Sequence, residues 1–193
     1  MDLYKLMENR RSTRQFTTKK VSEEKLRAIL KAGLLAPSGA DQKPYVYIVV
    51  DDLTLKKKIK SFSETADKKY YSTVPEWFKK WMKKKSISFE KNFLVDAPFL
   101  VVVAGETDKP YWLESTWISI AYMVLAAENE GLASLTYTPA ETDFLNDLLR
   151  LPTVFKPVVI IPVSYAKNKL SMKTTIKEEK VFLNEYNKRY HFY

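Results

Sequence analysis

An α+β domain is what this sequence predicts, and three observations carry the prediction. Four runs rich in β-branched and aromatic residues, 45–50, 99–104, 133–137 and 158–163, are spread along the chain. The segments between them repeat their apolar residues at helical spacing. The 193 residues show no internal repeat, low-complexity tract or Gly/Ser linker, so 1–193 reads as one domain or as one protomer of an intertwined dimer.

Asp2 is placed to cap a short first helix with Leu3, Leu6 and Met7 on one side. Arg10-Arg11-Ser12-Thr13-Arg14 ends it, packing three guanidiniums and two hydroxyls into five residues. Val21-Ser22-Glu23-Glu24 reads as the next helix start: an apolar staple, a capping hydroxyl, then acids in the first turn. Leu26, Ile29, Leu30, Gly33 and Leu34 follow, Pro37 stops the helix, and Ser38-Gly39-Ala40-Asp41 forms a loop. Tyr45 to Val50 is nearly continuous β-formers and reads as a buried strand. Asp51-Asp52-Leu53-Thr54 opens a Lys-rich helix with Leu55, Ile59 and Phe62 inward.

Residues 65–93 hold an aromatic stripe, Trp77, Phe78, Trp81 and Met82, after a Pro75 suited to a first turn. Such a stripe packs a core or a dimer, or forms a lid over a flat aromatic ligand. Phe99 to Ala104 is a second buried strand. Glu114 to Glu130 reads as a long central helix with little polar surface, Glu114 being a first-turn acid favoured by the dipole and Gly131 the left-handed stop. Ala133 to Tyr137 is a short strand, and Thr138-Pro139 caps a helix carrying Phe144, Leu145, Leu148 and Leu149. In the last strand, Val158 to Val163, Pro162 suggests an edge or a bulge. A helix around 175–188 and an aromatic tail make 175–193 a C-terminal arm.

Absent residue types narrow the chemistry. With no Cys there is no disulfide, thiolate nucleophile or thiolate-held cluster. The single His, His191, argues against a Ser-His-Asp triad and excludes multi-His metal sites. Gly33, Gly39, Gly105 and Gly131 cannot spell a G-x-G-x-x-G turn or a Walker loop. Difficult chemistry in such a chain points to a bound cofactor whose phosphate is held by side chains. The Arg10–Arg14 stretch suits that task, because an Arg fork and a hydroxyl together match phosphate oxygens. Taken alone, the same stretch also reads as a solvated basic turn.

Formal charge is +9, which first suggests nucleic acid. The Lys runs 56–58, 79–80 and 83–85 lie on predicted helices, where a solvated face explains them. Heavy Lys use with no Cys and only two Gln suits a protein from a hot habitat. Asp2, Lys5, Glu8 and Arg10 interrupt any apolar leader, and the longest apolar run, Trp117 to Ala127, contains Ser119. A cytoplasmic protein without a membrane span is the expectation.

Arg10-Arg11-Ser12-Thr13-Arg14-Gln15-Phe16 resembles the R-R-S-x-R-x-F signature of the nitroreductase family. Ala36 to Pro44 is similar to its A-P-S-x-x-N-x-Q-P loop, Gly131 to Pro139 resembles the stretch after its central helix, and Val158 to Tyr165 its closing strand. The likeness runs over nearly the whole chain, with 65–93 the least covered. It implies a mainly antiparallel central sheet flanked by helices and an intertwined homodimer with FMN at the subunit interface. It also implies hydride transfer from NADH or NADPH through flavin N5 to a nitroaromatic, quinone or similar oxidant by a ping-pong route. No protein acid, base or nucleophile is needed.

Carried onto the matching positions, the resemblance assigns the FMN phosphate to Arg10, Ser12 and Arg14, with Arg11 beside them. Pro37, Ser38 and Gly39 would lie along the flavin ring, and Asp41 would approach from the partner subunit. Thr136, Tyr137 and Thr138 would offer backbone groups and a wall, while Lys173 would reach back to the phosphate. Asp41 stands where Asn is usual and Lys43 where Gln is usual, and an ionised Asp cannot donate to a flavin carbonyl. Thr138 and Ser164 replace frequent glycines. These departures bear on substrate more than on flavin binding. Two alternatives follow: a same-fold flavoprotein acting as a dehydrogenase, dehalogenase or flavin-fragmenting oxygenase, and a basic nucleic-acid-binding module.

Overall fold

Tyr45–Val50 (β1), Phe99–Glu106 (β2), Ala133–Ser134 (β3) and Phe155–Ser164 (β4) form one antiparallel sheet in the order β1-β2-β4-β3. The structure, a computed structural model, describes residues 2–85, 87–168, 176–186 and 188–190. Helices are Leu3–Asn9 (α1), Glu23–Leu34 (α2), Leu53–Thr73 (α3), Glu76–Lys84 (α4), Phe93–Asp96 (α5), Trp112–Asn129 (α6) and Phe144–Leu149 (α7). Among the described residues, no helix is long and apolar enough to cross a membrane.

Both faces of the sheet are covered, which is why its strands read as unbroken apolar runs. Val101 and Val103 of β2 and Val159, Ile161 and Val163 of β4 point into a core made with α2 and α6. Their alternate neighbours Leu100, Val102 and Ile160 pack with Ile59, Leu94 and Leu145 on the opposite face. Burying each such side chain contributes about 1.5–3 kcal/mol.

Several elements depart from the sequence reading. Pro162 sits in an inner strand, between β2 and β3. Ile160 exchanges both backbone hydrogen bonds with Tyr137 at 2.8 and 3.0 Å, so two residues on Pro162 faces the same side. There β3 has already left the ladder, and the missing N–H costs nothing. The register shift falls opposite Val103/Ala104, beside Pro157. Phe62 is exposed and stacks on Phe144, while the inward face of α3 carries Lys56, Ile59, Ser63 and Asp67. Lys56 is 5% exposed and donates to the carbonyls of Ala97 (2.9 Å) and Pro98 (3.2 Å), so this member of the Lys runs is not solvated.

Five residues separate Thr138 from the helix it was expected to cap, which starts at Phe144. In the expected helix around 175–188, the described residues instead form a 3-10 turn at Glu178–Lys180 and a bridge between Phe182 and Arg189. On α6, Leu113, Trp117, Ile118 and Tyr122 stay about 40% exposed, beside Leu3, Tyr4 and Met7 of α1.

Register fixes how far apart the motifs lie. The loop before β1 enters the sheet where Tyr45 pairs with Gly105, the last part of β2. Ser12 bridges to Ser134 on the opposite edge, and Ser134 pairs with Val163, which pairs with Phe99 at the start of β2. Three strand spacings across and six residues along put these corners about 25 Å apart.

Candidate functional site

The end of α1 sets the Arg-rich stretch in place. The Arg10 N–H donates to the Leu6 carbonyl at 2.9 Å, after which the chain turns to extended backbone. The Arg11 guanidinium folds back to donate to the carbonyls of Arg10 (2.8 Å) and Glu8, so it closes the helix end. Thr13 N–H donates to the Ser134 carbonyl at 3.1 Å, anchoring Ser12 and Thr13 along β3. Arg14 emerges from this anchored segment at the rim of a cavity. Burial lowers the Arg14 pKa from its ordinary value, and Tyr71 alongside opposes the shift. Among the described residues neither Arg10 nor Arg14 has an ion-pair partner.

The cavity, about 670 Å³, has the size of a small-molecule site. Thr136, Tyr137 and Thr138 form one wall, and Phe78, Trp81 and Met82 of α4 form another. Phe78 and Trp81 stack with centroids 5.4 Å apart and planes 11° from parallel. Trp77 stands outside, 69% exposed. Met82 is buried as well as lining the cavity, so the stripe serves the packing of α4 and the cavity wall together.

A charge cluster closes the wall behind Tyr137. Lys91 Nζ lies 2.9 Å from Asp67 Oδ2, and both side chains are almost wholly buried. Tyr137 donates its hydroxyl to Asp67 Oδ2 at 2.9 Å, and the Ala140 N–H donates to Asp67 Oδ1 at 2.9 Å. Burial first, and then the Asp67 carboxylate beside it, push the Tyr137 phenol well above its ordinary pKa. Tyr71 joins through its hydroxyl, 3.2 Å from Lys91 Nζ.

Pro37, Ser38, Gly39 and Asp41 lie elsewhere, beside the first turn of α6. Gly39 N–H donates to Ser115 Oγ at 3.2 Å, and a Cβ on Gly39 would stand 2.8 Å from the Tyr111 ring. Ser38 Oγ accepts from the Lys43 N–H at 2.8 Å, closing a loop in which Ala40, Asp41 and Lys43 all have positive φ near 50°. Left-handed backbone at three non-glycine residues costs roughly 1 kcal/mol each. Within one chain, then, Arg14 and Thr136–Thr138 come together, while 37–41 stay at the far corner. Lys173 lies outside the described residues.

Sequence reasoning missed Asp67, Tyr71 and Lys91. A signal existed: Ile59, Ser63, Ala66 and Asp67 follow one helical stripe, so a carboxylate on a core-facing stripe needed a partner.

The sequence model of the nitroreductase family matches residues 7–165. An iodotyrosine deiodinase from Thermotoga neapolitana is 36% identical over 163 residues, 84% of this chain and 88% of that protein. One from Haliscomenobacter hydrossis is 30% identical over 176 residues, 85% of this chain and 79% of that protein. A crystal structure of oxidized iodotyrosine deiodinase bound to FMN and 3-iodo-L-tyrosine superposes with a TM-score of 0.85 at 34% identity, covering 94% of this chain and 100% of that one. These findings correct the expectation of an NAD(P)H oxidoreductase that reduces nitroaromatics or quinones: the relatives with substantial identity are deiodinases. They favour instead the same-fold alternative of a dehalogenase.

Proposed function

Because the chain belongs to the nitroreductase family, we propose that it is an FMN-dependent reductive dehalogenase of halogenated phenols that works as a homodimer. The observation that carries this reading is the cavity itself. A stacked Phe78–Trp81 pair and Thr136–Thr138 both line it, together with a guanidinium that has no ion-pair partner among the described residues, in a fold shared with a structure that holds FMN and an iodinated tyrosine.

The residues present fit FMN. Arg10 and Arg14, free of carboxylates, and the half-buried Ser12 hydroxyl form a donor set matched to a phosphate. Arg11 is spent on the end of α1 and contributes position rather than contact. The loop 37–41 lies farther from this corner than a flavin mononucleotide is long, so it serves the site of a second copy. The exposed apolar stripe on α1 and α6 supplies the face on which two copies meet. Phe78, Trp81 and Met82, which line the cavity, would cover the ring.

The chemistry that FMN supplies when bound is two-electron reduction: the aryl carbon–halogen bond breaks, halide leaves and the carbon takes a proton. The chain orients the phenol between its aromatic wall and Thr136–Thr138 and excludes water with Phe78, Trp81 and Met82. The test is iodide release from 2-iodophenol and 3-iodo-L-tyrosine by dithionite-reduced, FMN-loaded protein. Halide released in step with flavin reoxidation supports the reading. A protein that holds no FMN, or that releases no halide from either compound, refutes it.

A further inference from the structure

The outer face of α4 carries charge that no acid answers. Lys79, Lys80, Lys83, Lys84 and Lys85 are all exposed, and Glu76 is the one acid of the helix. None of these lysines has an ion-pair partner among the described residues. The lysines of α3 are treated differently: Lys60 pairs with Glu64 at 3.4 Å and Lys69 with Glu141 at 3.6 Å. A solvated helix face ordinarily interleaves the two signs, as α3 does. The helix dipole accounts for Lys83 and Lys84 in the last turn of α4. It does nothing for Lys79 or Lys80, and the i,i+4 pairs Lys79–Lys83 and Lys80–Lys84 repel.

Trp77 stands on the same face, since Trp77, Lys80, Trp81 and Lys84 succeed one another at spacings of three and four. Its ring is 69% exposed and meets Phe78 edge-on, with centroids 5.4 Å apart and planes at 68°. Phe78 stacks in turn on Trp81, and both of these rings line the cavity. A line of rings therefore runs from solvent to the site. An exposed Trp with charge around it has the make-up of an interface anchor and its rim. Nucleic acid would answer the charge but not the rings that lead inward. Reductive dehalogenation needs two electrons for each halide, and a donor that enters the cavity competes with the phenol for it. A donor docked outside α4 does not.

We infer that the outer face of α4 is the docking surface for an acidic, low-potential electron-carrier protein of the ferredoxin class, which delivers its electrons past Trp77, Phe78 and Trp81. Two reduced carriers each lose one electron. With one proton from solvent, those electrons break one carbon–halogen bond, so halide leaves and hydrogen takes its place on the carbon. The inference rests on the dehalogenase reading and names its electron source.

The experiment titrates FMN-loaded protein with a plant-type [2Fe–2S] ferredoxin, an acidic one-electron carrier, and measures the complex by calorimetry at low and at raised salt. Bleaching of the flavin by photoreduced ferredoxin is followed separately by absorbance, and cytochrome c, a basic carrier, is the binding control. Ferredoxin is expected to bind, to weaken with salt, and to lose about tenfold or more in affinity when Lys80→Glu and Lys84→Glu are combined. Lys80→Gln with Lys84→Gln gives a smaller loss in the same direction. Lys57→Glu with Lys58→Glu on α3, an equal change in net charge, is expected to stay within about threefold. Trp77→Ala weakens docking while flavin occupancy is retained.

No ferredoxin binding, an affinity indifferent to Lys80 and Lys84, equal weakening by the α3 pair, or equally tight binding of cytochrome c each overturns the inference. Tighter binding of duplex DNA or of phosphatidylserine vesicles through the same lysines overturns it too, and gives the surface to that partner. Halide released with dithionite but never with ferredoxin removes the electron route and leaves the dehalogenase reading standing. Flavin bleached by ferredoxin with no halide released keeps the docking surface and ends the dehalogenase reading.

Discussion

Lys91 Nζ and Asp67 Oδ2 stand 2.9 Å apart with 4% and 3% of their side chains exposed, joining α3 to the segment before α5. Two charges so far from water depend on each other. Lys91→Met or Asp67→Asn alone is expected to cost about 3–5 kcal/mol, because each strands a buried partner. Replacing both by apolar residues is expected to cost much less than the sum. Urea unfolding of the two single variants and the double variant checks this; additive losses would deny the coupling.

Three arginines crowd the end of α1, yet their duties differ. Arg14→Ala is expected to weaken FMN binding about tenfold or more, since a charge-assisted contact to phosphate is lost. Arg11→Ala removes donors to the Arg10 and Glu8 carbonyls and is expected to lower thermal stability while leaving flavin affinity within about threefold. Flavin titration by fluorescence quenching, paired with melting curves, separates the two effects.

Trp117 and Tyr122 are 41% and 43% exposed on a helix whose other face is core. In the proposed dimer a carboxylate there would be buried between copies. Trp117→Glu is expected to give a monomer in sedimentation, with FMN lost as the copies part. A flavin-loaded monomer would count against a shared site.

Alkaline conditions test the buried phenols. Burial raises the pKa of Tyr137, Tyr47 and Tyr45 above the ordinary value of 10.0. Above that pH the unfolded chain loses these protons while the folded chain keeps them, so the unfolded state binds fewer protons. Stability therefore falls as pH rises past about 10, by up to about 1.4 kcal/mol per pH unit for each group. Tyr137→Phe removes one such group and is expected to flatten the slope between pH 10 and 11, measured by denaturant unfolding.

The strands were legible because a sheet covered on both faces leaves no room for polar alternation, and β1 begins and ends where its apolar run does. Arg14, which lines the cavity, stood out in the sequence because the chemistry around it is dense and local. Asp67 was not, since a Lys-rich helix looks solvated until one knows which of its charges turn inward, and Lys91 sits in the loop before α5 where no helical stripe marks it. Pro162 misled for a related reason: its tolerance depends on where a different strand stops. Nor does a linear motif say whether Ser38 and Arg14 of one chain face each other, which only register decides.

The separation between the Ser12 and Gly39 corners has a genetic reading. When every site draws one corner from each copy, two crippled chains can rescue each other. Mixing Arg14→Ala protein with Gly39→Leu protein should restore roughly a quarter of full activity, since random pairing yields half mixed dimers with one intact site each. A chain carrying both lesions would do the opposite and silence both sites of any healthy copy it joined, so a single gene product could act as rescuer or as poison depending on whether its damage is confined to one corner.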